Sequence, residues 1–159
     1  MKQVAPILIF SLLTAAACLG QNPPVDQPAL NQKEIERLRT ELPKASPPHQ
    51  AKLYAELGER LVDVADQQFN RSESMAGLAT VQEIDQNSTK ARDLAVSTKS
   101  NRKEVEMIFR KTQRRLEALK HTLAAEDRPA VDAVEKKLAD MRQELLDSMF
   151  APNEPKEAK

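Results

Sequence analysis

Residues 131–149 read VDAVEKKLADMRQELLDSM, and their spacing decides the fold. Apolar side chains recur at alternating steps of three and four residues, namely at Val131, Val134, Leu138, Met141, Leu145 and Met149. This repeat places them on one face of an α-helix and is typical of helices that pack side by side, as in coiled coils. Asp127, with Pro129 just inside the helix, marks its start. The polar residues 151–159 form a tail.

The same helical spacing recurs in three earlier segments, residues 48–69, 78–99 and 101–123. Asn101 and Glu104 have the spacing of a capping box at the start of the third of these segments. Helices of about 20 residues are about 30 Å long, and short connections between such helices make successive ones antiparallel. The sequence therefore predicts an all-α fold, an up-and-down antiparallel bundle of four long helices with its core in residues 48–150.

A short N-terminal helix is predicted over residues 29–42, at the start of a helical domain spanning residues 29–150. Its narrow apolar stripe consists of Leu30, Ile35, Leu38 and Leu42. Asn31 and Glu34 again match a capping box, and Pro43 ends the helix. The narrow stripe leaves two arrangements open, a helix packed across the bundle and a loose one.

Composition limits the kinds of site that the chain can build. The 159 residues are 40% hydrophobic but only 3% aromatic, so the core is aliphatic. One cysteine, Cys18, excludes an intramolecular disulfide and, with only two histidines, argues against a structural zinc site. Three glycines leave no glycine-rich phosphate loop. We therefore predict no cofactor, no metal and no catalytic residue.

The first 20 residues have the three parts of a secretory signal peptide. A lysine at position 2 precedes the apolar run 4–17, which ends in three alanines. That run is shorter than the ~20 residues needed to span a bilayer. A buried core helix fits less well, because the Pro-rich residues 21–28 follow directly and are typical of a spacer. The sequence predicts an exported protein of the periplasm or cell envelope.

Residues 15–18, Ala-Ala-Ala-Cys, resemble a bacterial lipobox. That resemblance implies that the Cys18 thiol is diacylglyceryl-modified and that cleavage makes Cys18 the first residue of an anchored protein, with an outer-membrane destination. Ala15 departs from the commonest pattern, which has leucine at that position. Ordinary cleavage after Ala17 or Gly20, without a lipid, is the alternative.

Charge is balanced overall, with 24 basic and 24 acidic residues, but it is unevenly distributed. Residues 56–85 contain seven acidic and two basic side chains, and residues 99–121 contain eight basic and three acidic ones. We expect ion pairs between these two stretches. Lys103, Arg110 and Arg114 fall on one helical face and could bind phosphate groups of lipids or polyanions. The other interpretation is a solvated face neutralised by the acidic helix.

One helix resembles part of a known repeat. Residues 53–65, LYAELGERLVDVA, look like the first helix of a tetratricopeptide-type hairpin through Tyr54, Leu57, Gly58 and Leu61. The resemblance implies close helix packing around Gly58. No second-helix pattern follows and no 34-residue period recurs, so it implies no peptide-binding groove.

Taken together, these patterns predict a non-catalytic interaction or accessory module at the bacterial cell envelope. Its protein partner and oligomeric state are left open, and no nucleic acid is expected because no aromatic residues interleave with the basic ones. The alternative is a binder of anionic surfaces through Lys103, Arg110 and Arg114. An enzyme is the least favoured alternative, since Glu117 and His121 have the spacing of an ordinary surface pair.

Overall fold

The computed structural model describes residues 27–150, which form five α-helices and no strand. The helices are α1 (Gln27–Glu41), α2 (Pro47–Asn70), α3 (Ser74–Thr98), α4 (Arg102–Thr122) and α5 (Arg128–Phe150), with one 3-10 turn at Leu42–Lys44. The predicted all-α helical bundle is thus confirmed. The signal peptide with Cys18, most of the spacer and the tail 151–159 lie outside the described residues.

The four long helices form two antiparallel hairpins. In the first hairpin α3 folds back on α2, so that Gly58 lies beside Ser88. In the second hairpin α5 folds back on α4, and Arg102 near the start of α4 donates to the carbonyl of Ser148 near the end of α5. Successive helices therefore alternate in direction, as short connections require.

The two hairpins lie side by side with equivalent helices parallel. Arg92 of α3 pairs with Glu144 of α5, and Asp85 of α3 pairs with Lys137 of α5. The two ion pairs are seven residues apart on both helices and follow the same order, so α3 and α5 run in the same direction. In the same way α2 runs parallel to α4. The helix pair α2 and α5 does not come into contact. The sequence did not predict this choice of neighbours, because alternating directions are compatible with several arrangements.

The connection between the hairpins is only three residues long. Lys99 and Asn101 both have left-handed backbones, with φ of 55° and 57°, which reverses the chain direction quickly. The Asn101 side chain donates to the Pro48 carbonyl at 2.7 Å and makes no capping bond to α4. The predicted capping box at Asn101 is therefore wrong, because its backbone is left-handed where a capping residue is extended.

The apolar faces predicted from the spacing form one continuous core. In α4 every predicted position is buried, namely Val105, Ile108, Phe109, Thr112 and Leu116, followed by Leu119 and Leu123. In α5 the buried positions are Val131, Val134, Leu138, Met141 and Leu145. The hairpins are therefore held together by mainly aliphatic side chains, with Phe109 as the aromatic residue among the α4 positions named here.

Helix α1 packs on the bundle and is not loose. Ile35, Leu38 and Leu42 are buried in the common core, whereas Leu30 is 49% exposed. The helix begins at Gln27, so Asn31 lies in its second turn and donates to the Arg60 carbonyl at 3.1 Å. The predicted capping box at Asn31 is therefore also wrong.

Candidate functional surfaces

The three residues of the predicted basic face lie together on α4. Lys103, Arg110 and Arg114 are all exposed, and Met107, 45% exposed, lies on the same side of the helix. Lys103 and Arg114 form no hydrogen bond or ion pair with any residue that the structure describes. Their charges are therefore free to meet an anionic partner.

Arg110 differs from the other two because it binds a buried carboxylate. Its Nη2 lies 3.0 Å from Oε2 of Glu106, a residue that is only 3% exposed. From α5, Arg142 donates through Nη2 to Oε1 of Glu106 at 2.9 Å and through Nη1 to Gln113 at 2.8 Å. These four residues, the Glu106 network, join α4 to α5.

The ionisation of Glu106 follows from its surroundings. Burial by itself raises the pKa of this carboxyl, but the hydrogen bonds from Arg142 and Arg110 outweigh burial and hold the pKa below its usual value of 4.5. Glu106 is thus a carboxylate at neutral pH, and its single negative charge is shared between Arg110 and Arg142. Sequence reasoning missed it, although its four-residue spacing to Arg110 was visible.

The expected ion pairs between the acidic and basic stretches are present at Arg115. Arg115 of α4 pairs with Asp63 and donates to the Glu59 carbonyl at 2.9 Å, both on α2. Other acidic side chains of residues 56–85 pair with other helices. Glu83, for example, forms an ion pair with Arg39 of α1 at 2.7 Å. The reason is geometric, since α3 packs against α5 more closely than against α4.

Two open grooves lie on either side of α2, and a third of about 570 Å³ lies between α4 and α5. The first, the α1–α2 groove, has a volume of about 510 Å³ and is lined by Pro28, Leu30, Asn31, Glu34, Arg60, Asp63, Asp66 and Gln67. The second, the α2–α4 groove, has a volume of about 280 Å³ and includes Val62, Arg115, Ala118 and Leu119. Asp63 and Asp66 line both grooves.

Several polar groups in the α1–α2 groove have unused bonding capacity. Asp66 accepts one hydrogen bond, from Asn70 at 3.1 Å, and pairs with no cation among the described residues. Asn31 is 8% exposed, yet its Oδ1 has no hydrogen-bond partner. Arg60 forms no hydrogen bond or ion pair through its side chain within the described part of the chain, but its charge helps to lower the pKa of Glu34 in the same groove. Asp66 and Arg60 are partly or fully exposed, whereas the Oδ1 atom of Asn31 is fully buried.

Glu34, also in this groove, is already paired. Arg37 donates to its Oε1 at 2.6 Å, and this hydrogen bond lowers the pKa of Glu34. On the far side of the bundle, hydrogen bonds to Asp132 and Glu135 raise the pKa of Lys120. That lysine fixes α4 to α5 near their connection and is not available to a ligand.

The remaining sequence candidates form no cluster. Glu117 and His121 are exposed on α4 and are not hydrogen-bonded to each other. Across residues 27–150 no three His, Cys, Asp or Glu side chains are grouped as metal ligands. Within the same residues, no helix combines the length and apolar character that a membrane span requires.

Comparison with known proteins gives no relative from which a role could be carried over. No protein-family model, no curated protein and no solved structure matches this chain. The α2 grooves and the basic face of α4 are therefore the surfaces from which a function can be proposed.

Proposed function

We propose that this protein is a non-catalytic helical module that binds a protein partner at the bacterial cell envelope. The observation that carries the proposal is the pair of open grooves beside α2, which share Asp63 and Asp66. Protein interfaces combine apolar contacts with a polar rim, and these grooves place Leu30, Ala118 and Leu119 among charged side chains. The helices that form the walls are fixed by the common core, so the surface is formed before a partner arrives.

The N-terminal sequence supports the location. A basic start, an apolar run too short to span a bilayer and the small residues before Cys18 match an export signal. Acylation of Cys18 would tether the module to a membrane, and the Pro-rich residues after it would hold the domain away from the lipid.

Photo-crosslinking in living cells tests the proposal. A benzophenone amino acid is placed in the full chain at Leu30 or Ala118, which are exposed walls of the two grooves. Asp93 on α3 and Asp140 on α5 are exposed positions that line neither groove and serve as controls. We expect irradiation to give a discrete heavier product from positions 30 and 118 only.

Two outcomes would count against the proposed function. If none of the four positions yields a crosslinked protein, the chain is not a binding module of this kind. If only the positions of Asp93 and Asp140 yield products, the partner sits on another surface and the grooves are not the interface.

A second function is favoured by a specific observation, namely that Lys103 and Arg114 are exposed and unpaired beside the exposed Met107. Such a face suits anionic headgroups, since each lysine or arginine near an anionic bilayer surface contributes about 1 kcal/mol. This candidate predicts sedimentation of the full chain with phosphatidylglycerol vesicles at low salt and release at high salt.

The structure indicates which variant tests this second function. Lys103→Glu with Arg114→Glu removes the free charges, whereas reversal of Arg110 would place a second carboxylate beside buried Glu106. The matched control reverses Lys33 and Lys136, exposed lysines without an ion pair on α1 and α5. Equal sedimentation of wild type and the Lys103/Arg114 variant would eliminate the anionic-surface function.

A further inference from the structure

We infer that a cavity at one end of the bundle binds a primary ammonium group, the group at the end of a lysine side chain, with Asp127 as its counter-ion. The cavity has a volume of about 160 Å³ and lies where the turn between α2 and α3 meets the turn between α4 and α5. The inference goes beyond the proposed function, because this end cavity is a separate site from the two grooves beside α2.

The first observation is that Asp127 is a buried acid without a cation. Two acidic side chains are buried among the described residues, Glu106 with 3% and Asp127 with 6% exposed. Glu106 pairs with two arginines, whereas Asp127 forms no ion pair and accepts one hydrogen bond, from Ser74 Oγ at 3.0 Å. Buried charges in proteins are normally paired with a cation, because water no longer solvates them. Asp127 therefore lacks a counter-charge that Glu106 has.

The start of α5 does not supply this missing partner. Asp127 directly precedes α5, at the position from which an aspartate commonly accepts a backbone N–H. Pro129 has no N–H, and the N–H of Ala130 is not bound to the Asp127 side chain. Arg128 donates instead to the Leu123 carbonyl, through Nε at 3.0 Å. The Oδ1 atom of Asp127 accepts no hydrogen bond and is not enclosed, so the cavity that this residue lines gives access to it.

The charge of the cavity is that of Asp127 alone. The other residues that line it are neutral. Four further charged residues lie in or beside the two turns, and they cancel, since Arg71 and Arg128 are matched by Glu73 and Glu126. A ligand group of charge +1 therefore neutralises the cavity.

The uncharged polar groups of the cavity favour an ammonium group over a metal ion. Ser72, Ser74 and Thr122 line it with hydroxyl oxygens that can accept hydrogen bonds. An ammonium group carries three N–H donors, so it can bind the carboxylate and two hydroxyl oxygens together. A calcium ion takes about six to eight oxygen ligands and commonly several carboxylates, and this cavity offers one carboxylate.

Apolar side chains in the cavity suit the methylene groups that carry such an ammonium group. Phe69 is half-buried and Leu123 is buried, and both line the cavity. Thr122 lines this cavity and also the α2–α4 groove, so the two are continuous. A lysine of a protein partner in that groove is therefore one source of the ammonium group, and a free small amine is the other.

An NMR titration of the full, isotope-labelled chain tests the inference. The probes are n-butylammonium chloride and the amide of acetyl-lysine, and sodium chloride and calcium chloride at equal ionic strength are the controls. We expect an amine to shift the amide signals of Ser72, Ser74 and Asp127 with a dissociation constant on the order of 1 mM, and the two salts to leave them unchanged. Tighter binding of the lysine derivative identifies a lysine side chain as the source, and tighter binding of n-butylammonium identifies a free amine.

Three variants locate the binding. Asp127→Asn keeps the size of the side chain and an acceptor for Ser74, removes the charge, and should weaken amine binding at least about tenfold. Glu126→Gln is the matched control, because Glu126 is the neighbouring carboxylate, is exposed and does not line the cavity. Ala124→Leu keeps the charge but narrows the cavity from an exposed position, and it should also weaken binding. Circular dichroism checks that each variant is helical, and Ala124→Leu decides if Asp127→Asn does not fold.

Several results would overturn the inference. They are the absence of shifts with both amines, equal shifts with sodium or calcium chloride, unchanged binding to Asp127→Asn or to Ala124→Leu, and equal weakening by Glu126→Gln. Crosslinking from positions 30 and 118 does not depend on these measurements, so the inference and the proposed function can each fail alone.

Discussion

Glu106 is the residue whose environment departs most from what its type suggests. A carboxylate is rarely buried to 97% unless it is paired, and Glu106 meets this condition with two arginines from two helices. Arg110 and Arg142 remain partly exposed, so the network is buried on the carboxylate side and solvated on the other. Glu106 thereby ties one member of the basic face to the bundle.

Glu106→Gln should destabilise the protein by about 2 kcal/mol, because it removes the charge from a buried acceptor and leaves Arg142 without an anion. Urea denaturation measures the free energy of unfolding. Glu104→Gln, on the exposed side of the same helix, is the control and should change that free energy by no more than about 0.5 kcal/mol. Equal effects of the two substitutions would show that the network adds nothing to stability.

The lowered pKa of Glu106 also predicts a pH dependence. A carboxyl whose pKa is lower in the folded state contributes stability above its unfolded value of 4.5 and loses it as pH falls through the folded pKa. The stability difference between wild type and Glu106→Gln should therefore be constant at neutral pH and shrink below about pH 4.5. Denaturation curves between pH 3 and 7, a range of about four units, measure this difference in the free energy of unfolding. A difference that grows on acidification would show that the pKa is raised.

Among the helices, the α2–α3 hairpin contains two glycines, which differ in how well their surroundings would accept a side chain. A methyl group at Gly58 would lie 3.4 Å from Ser88 Oγ, an ordinary contact. At Gly77 it would lie 2.7 Å from ring atoms of Phe69, closer than carbon atoms approach. Only Gly77 is therefore required by packing.

Gly77→Ala should destabilise the protein by about 1–3 kcal/mol, since the Phe69 ring must move out of its place between α2 and α3. Gly58→Ala is the matched comparison and should be neutral or stabilising, because alanine is favoured over glycine in a helix interior by about 1 kcal/mol. Thermal unfolding of both variants measures the effect. The opposite order would show that the tight contact is at Gly58.

For the molecule as a whole, the proposed function includes attachment of the helical bundle to a membrane. Cys18 and the spacer would set that attachment, and they precede the surface formed by α1, α2 and α4. The predicted acylation of Cys18 is therefore tested on the intact protein and not on the isolated bundle.

We predict that the mature protein made in a diderm bacterium begins at an acylated Cys18. Intact-mass spectrometry should give the mass of the chain from Cys18 onward plus diacylglyceryl and acyl groups. The Cys18→Ser variant should lose these groups, since serine lacks the thiol that receives the lipid. A wild-type mass that starts at Gln21 without lipid contradicts the prediction and leaves simple secretion.

Hydrophobic periodicity was enough to predict the helices and their buried faces. Every predicted core position of α4 is buried, because the hydrophobic pattern repeats with the period of the helix and burial follows from it. Residue spacing does not determine partners in space. Asn31 and Asn101 both match a capping pattern, but their amides donate instead to Arg60 and Pro48 on α2.

Packing between segments distant in sequence sets which helices are neighbours, buries Glu106 between two arginines, and brings Asp66 and Asn31 to one groove. The physical reason is that a local pattern fixes the direction in which a side chain leaves its own helix. Which residues that side chain then contacts depends on the packing of segments distant in sequence, and the candidate surfaces are formed by such contacts.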